Sequence, residues 1–482
     1  MREPISKVDT AWLRMEQPTN LMMITGVIQL DHGASFERVV ETIEHRWLAF
    51  RRFRQKAVDK AGGAYWELDK DFDINTHIRR VALPGHAGQD ELEEFVSDLA
   101  STRLDHSRPL WQFHYLENFV DGPVLVQRVH HCYADGIALI QVFLSLTDPG
   151  PEPRPSASNP GTWKKRRAAE STIYQRLMEP AREGLGLAVH WSRKLLGEAV
   201  EIVQEPEKAR KYVTEAAELV KELASSLTLP NDPKTLFKGK LGVRKRVAWA
   251  EPLSLLEVKA VSKAFGCSVN DVLIAAVTGA LRSYMLDHGE APSRNTEVRA
   301  TVPVNLRPLE HAKNLGNHFG LVFLPLPIGE PNPIKRVKQV HESMNELKSS
   351  KQAAVSFGLL AALGMGPSIL QKPALDMLSE KATMVLTNVP GPQKPLYLGG
   401  GQVKQMMFWV PQNGGIGMGV SILSYNGQVF FGVITDRKLV PEPKEIIQRF
   451  KPEFENLLYL SLMLPVADPV AAKLAEELIS TI

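Results

Sequence analysis

The 482-residue sequence contains only two cysteines, Cys132 and Cys267. Two thiols exclude a disulfide framework and a zinc site built from several cysteines, and they suit a reducing compartment. An excess of one charge is also missing, because 57 basic residues stand against 54 acidic ones, a formal net charge of +3. This balance gives no electrostatic case for a nucleic-acid partner, although a mildly basic chain is compatible with an anionic membrane surface.

Long apolar runs are scarce as well. The N-terminus has no apolar stretch ahead of a small-residue cleavage site, so no signal peptide is predicted. The longest apolar stretch, residues 353–370, approaches the length of a membrane span but contains Ser356, Pro367 and Ser368. We interpret it as a core helix or a channel wall, and we expect a soluble or membrane-peripheral protein.

The sequence does contain alternating strand and helix patterns on either side of a proline-rich segment. Prolines at 149, 151, 153, 155 and 160 predict a stiff linker, and a basic run at 163–167 and helical pattern follow it. This basic region could contact a membrane surface or form a connector packed on the second domain. We predict an α/β protein with segments 1–148, 149–242 and 243–482, in which the first and third carry mixed sheets.

Hydrophobic periodicity places the main elements. Helices are expected at 36–47 and 90–104, and a third helix should begin at Ser268, which forms an S-x-x-D capping pattern with Asp271. The candidate strands are 21–30, 64–68, 111–118, 123–131, 243–250, 296–304, 319–326, 383–388, 403–410, 419–424 and 428–434.

The end of the strand at 123–131 carries the strongest chemical signal, His130-His131 followed by Asp135-Gly136. Side chains alternate between the faces of a strand, so the two histidines are predicted to point in opposite directions. His131 falls at a strand-to-helix turn, where its side chain can reach a cleft. An imidazole with an unperturbed pKa of ~6.5 suits acid–base chemistry at neutral pH.

Other uses of this segment are less consistent with its pattern. Adjacent strand residues do not easily converge on one ion, so we predict no metal site. Cys132 has no separate His/Asn partner pattern, which argues against a thiol nucleophile. A structural alternative remains for each residue, because His131 could be a hydrogen-bonded core histidine and Asp135 a simple helix N-cap.

The H-H-x-x-x-D-G pattern resembles the motif of coenzyme A-dependent acyltransferases related to chloramphenicol acetyltransferase, which include peptide-synthetase condensation domains and plant acyltransferases. The rest of the chain, apart from about 150–240, resembles the wax ester synthase/diacylglycerol acyltransferase family. The matching motifs occur in that family's order and are DTAWLRMEQPTNLMM at 9–23, PLW at 109–111, ND at 270–271, PVNLR at 303–307, TNVPGP at 387–392 and SYNG at 424–427.

The resemblance implies two chloramphenicol-acetyltransferase-like domains with the site between them. It also implies direct acyl transfer from a fatty acyl-CoA to a long-chain alcohol or a diacylglycerol, with no cofactor. His131 is then the general base and His130 supports the local geometry. Asp135 resembles the motif aspartate that turns away from the substrate and pairs with an arginine, for which Arg307 is the candidate.

Three further residues have expected roles, and that of Asn270 follows from the same resemblance. Asn270 should lie near the acceptor or the reacting carbonyl, where an amide could stabilise an oxyanion. Asp271 is expected to cap the helix that begins there. Gly136 is assigned to substrate binding and is also expected to permit close packing of a strand and a helix. A cytoplasmic enzyme is expected, with peripheral contact to the inner membrane or to lipid inclusions.

Two other functions remain open at this point. The chain could be a condensation-type acyltransferase that uses a carrier-bound acyl group, although it has no attached carrier domain. It could also be a non-catalytic lipid-binding protein with the same fold. His131, Asp135 and Asn270 together weigh against the second alternative, since a binding-only relative has no chemical need for that set.

Overall fold

The computed structural model describes residues 2–60, 63–152, 229–306, 315–350, 352–365, 376–412 and 414–463. Arg307 lies outside the described residues. Residues 153–228, which include most of the predicted linker and connector helices, lie outside them as well. Two large mixed sheets and one small sheet organise the described residues. This arrangement confirms the predicted α/β class.

The helices are numbered here in chain order. They are α1 (Lys7–Arg14), α2 (Phe36–Thr42), α3 (Gln89–Ala100), α4 (Gly136–Leu146), α5 (Leu255–Ala264), α6 (Val269–Asp287), α7 (Pro333–Ser349), α8 (Gln352–Met365) and α9 (Lys444–Leu462). The helix predicted at 36–47 is α2 followed by a π-helical turn, Ile43–Trp47. Among the described residues no single helix is long and apolar enough to cross a bilayer, whereas α5 and α6, which meet at 98°, pass that test of length and composition as a pair.

Every strand predicted from the sequence is present, with ends that differ by a few residues. The strands are β1 (Arg2–Pro4), β2 (Met23–Leu30), β3 (Gln55–Lys60), β4 (Gly63–Leu68), β5 (Ile78–Val81), β6 (Trp111–Leu116), β7 (Val124–His130), β8 (Lys245–Trp249), β9 (Leu253–Ser254), β10 (Val298–Asn305), β11 (Phe319–Leu326), β12 (Met384–Pro390), β13 (Tyr397–Leu398), β14 (Gly401–Trp409), β15 (Met418–Tyr425) and β16 (Gln428–Asp436).

The first large sheet has the order β13-β14-β2-β7-β6-β5. Its strands run antiparallel except for the parallel pair β5 and β6. Strands β13 and β14 come from the segment predicted at 243–482, yet they extend the sheet formed by the first 130 residues. Because β14 pairs with β2, the backbone of β2 is not left as an open sheet edge. The predicted segment boundaries stay a prediction, but the two halves share a sheet.

The second large sheet has the order β11-β10-β12-β15-β16-β8, and β9 also pairs with β16. Strand β12 lies parallel to both β10 and β15, and the other pairs are antiparallel. The apolar residues of α5, α6 and α9 pack against one face of this sheet in a continuous core. A small antiparallel sheet, β1-β4-β3, completes the N-terminal region.

The two halves also meet through helices and loops. Helix α1, near the N-terminus, packs against α8 of the C-terminal half. Ala134, in the loop after β7, forms an isolated parallel bridge with Gly316, in the loop before β11. This bridge brings the H-H-x-x-x-D-G segment to the C-terminal half of the chain.

Candidate active site

Strand β7 and the residue after it deliver the two histidines to different surroundings, as predicted from strand alternation. Both side chains are buried. The ring of His131 stacks on Trp12 with 4.2 Å between centroids and lies 5.6 Å from the ring of Phe319. The Nε2 atom of His130 instead lies 3.6 Å from Oε2 of Glu16. One histidine therefore faces aromatic groups and the other a carboxylate.

The backbone of His131 is fixed from both halves of the chain. Its N–H donates to the carbonyl of Met22 at 2.7 Å, just before β2. Its carbonyl accepts a hydrogen bond from Nδ2 of Asn317 at 2.8 Å, just before β11. His131 thus lies where the first sheet meets the C-terminal half, as expected for a site between two domains.

Burial, helped by the nearby His130, lowers the pKa of His131 to about 3, although its own backbone and the side chain of Asn317 oppose the shift. The ring is therefore neutral near pH 7 and has one nitrogen lone pair that can accept a proton. A weakly basic imidazole also releases an acquired proton readily. The Nδ1 atom is buried and has no hydrogen-bond partner among the described residues.

His130 belongs to a charged cluster. Its Nδ1 accepts a hydrogen bond from the backbone N–H of Cys132 at 3.2 Å, which leaves the proton of a neutral ring on Nε2, towards Glu16. Glu16 also contacts His106 at 2.7 Å and Arg103 at 3.0 Å. Burial alone would raise the pKa of Glu16, but the hydrogen bond from His106 and the attraction of His130 lower it to about 2. The cluster fixes one ring orientation for His130.

Asp135 is the N-cap of α4, as its structural interpretation predicted. Its Oδ1 accepts a hydrogen bond from the backbone N–H of Ala138 at 2.8 Å. Its Oδ2 accepts another from the N–H of His318 at 3.0 Å, and its own N–H donates to Gly316 at 3.4 Å. The carboxylate therefore joins α4 to the loop before β11. Pairing with Arg307 stays a prediction.

Two residues that the sequence did not single out complete the surroundings of His131. Both the backbone N–H and Nδ2 of Asn317 donate to Oδ1 of Asp9 in α1, at 2.9 and 2.7 Å. Burial raises the pKa of Asp9, and the hydrogen bonds from Asn317 oppose that shift. Asp9 opens the motif at 9–23, which was a usable signal. Asn317 had no such signal, because no spacing rule connects positions 131 and 317.

Asp271 has the capping role that the sequence predicted. Its backbone N–H donates to Oγ of Ser268 at 3.2 Å, and its Oδ2 accepts from the N–H of Ser268 at 2.8 Å. The same Oδ2 lies 2.7 Å from Nδ1 of His341 in α7. Asp271 thus begins α6 and links it to α7.

Asn270 is exposed next to that cap, and its Oδ1 accepts a hydrogen bond from Nδ2 of Asn388 at 2.8 Å. This bond joins the ND motif to the TNVPGP motif in space. Within the described ranges Asn270 has no hydrogen bond to His131. Its role at the reacting carbonyl stays a prediction.

The expected close packing at Gly136 is wrong. A Cβ atom at this position would meet only Cγ1 of Val410, at an ordinary contact distance of 4.0 Å. Gly136 is instead part of the wall of an apolar pocket beside the first turn of α4.

This pocket lies between the first sheet and α4, is lined mainly by apolar side chains and is partly open to solvent. Its walls include Ile24 and Gly26 of β2, Leu139 and Phe143 of α4, and Gln127 of β7. Gln127 and His131 are four residues apart and so share a face of the strand. Extending this alternation by one residue beyond β7 assigns His131 to the face on which the pocket opens, and the His131 side chain itself does not line the pocket.

Metal and thiol chemistry have no support in this region. In the part of the chain that the structure describes, no three His, Cys, Asp or Glu side chains are grouped to hold a metal ion. Burial raises the pKa of Cys132 well above its usual range, which keeps the thiol protonated and unreactive.

Comparison with known proteins agrees with this geometry. The family model of the wax ester synthase/diacylglycerol acyltransferase catalytic domain matches residues 5–273, and that of the family's C-terminal domain matches residues 315–458. The probable diacylglycerol O-acyltransferase tgs1 of Mycobacterium tuberculosis is 28% identical over 416 residues, which are 85% of this chain and 84% of that protein. Its probable diacylglycerol O-acyltransferase tgs2 is 29% identical over 84% of this chain and 86% of its own length.

Solved structures show the same fold. The wax ester synthase/diacylglycerol acyltransferase from Marinobacter aquaeolei VT8 superposes with a TM-score of 0.67 at 22% identity, over 96% of this chain and all of that one. The first condensation domain of the calcium-dependent antibiotic synthetase gives 0.57 at 14% identity, over 96% of both chains. The two-domain architecture is thus that of the chloramphenicol-acetyltransferase-like acyltransferases. The chain belongs to the wax ester synthase/diacylglycerol acyltransferase family and is an acyltransferase.

Proposed function

We propose that this enzyme transfers a fatty acyl group from acyl-CoA to the hydroxyl of a diacylglycerol or a long-chain alcohol, with His131 as the general base. The observation that carries the proposal is a neutral, buried imidazole at the junction of the two halves, on the same sheet face as an apolar pocket. Diacylglycerol is the first acceptor to test, because tgs1 and tgs2 are named as diacylglycerol acyltransferases.

The reaction needs one residue to move one proton twice. A hydroxyl is a poor nucleophile until His131 removes its proton as the oxygen attacks the thioester carbonyl. The tetrahedral oxyanion then collapses, the carbon–sulfur bond breaks, and the imidazolium returns the proton to the departing thiolate. The products are an ester and free CoA, and no acyl-enzyme or cofactor is required.

The energetics agree with a site that mainly positions its substrates. General acid–base catalysis contributes roughly 10²–10⁴-fold. Holding the thioester and the hydroxyl in contact can supply several further kcal/mol. A weakly basic His131 makes removal of the hydroxyl proton harder and protonation of the departing thiolate easier, because its conjugate acid is the stronger acid.

The apolar pocket supports a lipid substrate. Each buried methylene stabilises a bound alkyl chain by about 0.8 kcal/mol. The aliphatic walls and the position on the His131 face suit a chain whose reacting end lies at the histidine. We also propose that the enzyme works in the cytoplasm at the surface of a membrane or lipid inclusion, because both acceptors are insoluble in water.

The test is an assay with palmitoyl-CoA and either dipalmitoylglycerol or hexadecanol, with free CoA and ester product measured together. His131→Ala should lower kcat at least 100-fold. His114→Gln is the matched control, because His114 is also a buried histidine of the first sheet, on the neighbouring strand β6. Its activity should stay within threefold of wild type.

Two outcomes would refute parts of the proposal. Release of CoA that neither acceptor enhances would exclude the lipid acceptors. Unchanged activity of His131→Ala would exclude the mechanism. An ester formed from hexadecanol but not from dipalmitoylglycerol would reassign the acceptor.

A further inference from the structure

The environment of His131 contains a second functional feature, a hydrogen-bonded chain that runs from Asp9 through Asn317 to the histidine. We propose that Asn317, held by Asp9, is a positioning residue that orients His131 and keeps the ring proton on Nδ1, so that Nε2 takes the proton of the hydroxyl. This inference rests on the proposed role of His131 as the base.

The first argument is that the Asn317 amide is held in one orientation. One Nδ2 hydrogen is donated to Oδ1 of Asp9 at 2.7 Å, and the other is donated to the carbonyl of His131 at 2.8 Å. The backbone N–H of Asn317 donates to the same Asp9 oxygen at 2.9 Å. Asp9 is itself anchored in α1, where its N–H donates to Oγ of the N-cap Ser6 at 3.0 Å. Only an NH₂ group can donate twice in this way, so Oδ1 must occupy the remaining side of the amide.

The second argument is a pair of unmatched groups. Both Oδ1 of Asn317 and Nδ1 of His131 are buried and without a hydrogen-bond partner in the described residues. Leaving a buried polar group unpaired costs about 1–3 kcal/mol. The Asn317 side chain already contacts the backbone of His131 and also acts on its ring, since it raises the pKa of the imidazole. Catalytic hydrogen bonds are often long in an empty site and tighten when substrate binds.

The third argument concerns which ring nitrogen of His131 carries the proton. A neutral imidazole has one N–H, and the partner of one ring nitrogen decides the state of the other. An amide oxygen only accepts, so its partner must be Nδ1–H, which leaves Nε2 unprotonated. Trp12 stacks on the ring at 4.2 Å and restricts its plane. A neutral amide also adds no negative charge that would make the imidazolium retain its proton.

The first test is Asn317→Leu, which keeps the approximate volume and removes both functions of the amide. We expect kcat to fall at least 30-fold while KM for palmitoyl-CoA stays within threefold. The control is Thr435→Val, which removes a buried hydrogen bond to Val440 at 2.9 Å outside the site. Loss of activity no larger than that of the control would overturn the proposal.

Asn317→Leu also leaves the buried carboxylate of Asp9 without its side-chain hydrogen-bond donor, which could impair folding. A second variant therefore keeps a polar partner at both positions. The exchange Asp9→Asn with Asn317→Asp retains the contact between positions 9 and 317 with reversed polarity, and it removes the donor to the carbonyl of His131. It places a negative charge beside the ring, which should raise the pKa of His131. The acid limb of the kcat/KM profile should then move up by at least one pH unit. An unmoved acid limb would show that the side chain at position 317 does not act on the ring of His131, and that result would refute the proposal.

The third test needs no substrate. Nitrogen-15 spectra of histidine-labelled protein should show His131 as the Nδ1–H tautomer, with the Nε2–H form gaining in Asn317→Leu. A wild-type Nε2–H tautomer would overturn the inference even if the acyltransferase activity is confirmed. Conversely, an active His131→Ala would refute the base while leaving the tautomer measurement intact.

Discussion

The two histidines at the end of β7 are neighbours in sequence with opposite environments. His130 belongs to a cluster of charged and titratable groups in which Glu16 is also close to His106 and Arg103. His131 lies against Trp12 and Phe319, with a neutral amide beside it. Strand alternation separates the side chains, and the surroundings then give them different chemistry. The repeated histidine of this motif therefore occupies two different environments, which is consistent with the separate roles proposed for His130 and His131.

The charge next to each ring explains the tasks. The carboxylate near His130 favours a fixed ring whose Nε2–H points at Glu16, which suits a support. No carboxylate contacts the ring of His131 among the described residues, so burial dominates and the ring stays neutral. Under the proposed mechanism this neutral, aromatic-lined imidazole takes up the hydroxyl proton and returns it to the thiolate. The predictions below test this contrast.

The largest effect should follow Asp135→Ala, which disturbs only the His131 side. The change removes the N-cap of α4 and leaves the N–H of His318 without its acceptor, so the free energy of unfolding should fall by about 2–4 kcal/mol. Urea denaturation measures it. The control is Ser254→Ala, an N-cap of α5 whose loss should cost about 1 kcal/mol. A fully folded but inactive Asp135→Ala protein would contradict this structural role.

A smaller effect, on folding stability at acidic pH, should distinguish the surroundings of His131 from those of His130. The pKa of His131 is lowered to about 3, so below pH ~6.5 the unfolded chain binds a proton at this residue and the folded protein does not. Folding stability should therefore fall by about 1.4 kcal/mol for each pH unit from this residue alone. Between pH 7 and pH 4.5, the free energy of unfolding of His131→Gln should fall by roughly 2–3 kcal/mol less than that of wild type.

Glu16→Gln is the comparison for that experiment. The pKa of Glu16 is lowered to about 2, so its contribution to stability is present above its unfolded pKa and is lost only as the pH falls towards 2. Between pH 6.5 and 4.5 the loss of Glu16 itself should therefore change acid sensitivity little, whereas the lowered pKa of His130 should make Glu16→Gln at least as acid-sensitive as wild type. Equal acid sensitivity of His131→Gln and wild type in that window would refute the contrast.

The smallest effect is expected on turnover at neutral pH in Glu16→Gln. The glutamine keeps one acceptor near His106 and His130 but removes the charge that raises the pKa of His130. We expect kcat within threefold of wild type, while an NMR titration of His130 moves to lower pH. A fall in kcat as large as that of His131→Ala would assign catalysis to the His130 side as well.

Local sequence patterns were enough to predict most helices and strands and the placement of several candidate site residues. Period-two alternation located the strands, and the S-x-x-D pattern located the start of α6 and the capping role of Asp271. The same alternation separated His130 from His131. These features depend only on a few neighbouring residues, so the sequence contains them directly.

Features that depend on distant residues were not predicted. No local pattern shows that β14 pairs with β2, or that Asn317 and Asp9 meet at His131. The reason given for Gly136 was wrong, because the space around a residue depends on elements far away in sequence. The hydrogen bond between Asn270 and the amide of Asn388 was not predicted either, and the role of Asn270 at the reacting carbonyl stays a prediction.

The sequence by itself determined the α/β class, the strands, the capping of α6, the family and the two opposed histidines, because these follow from periodicity and from motifs of a few residues. Only the tertiary structure decided the basicity of His131 and the identity of its partners. A pKa depends on burial and on nearby charges. The adjacent His130 supplies the charge, but the aromatic rings that bury His131 come from segments about 120 residues before and 190 residues after it. Chain folding brings those segments together.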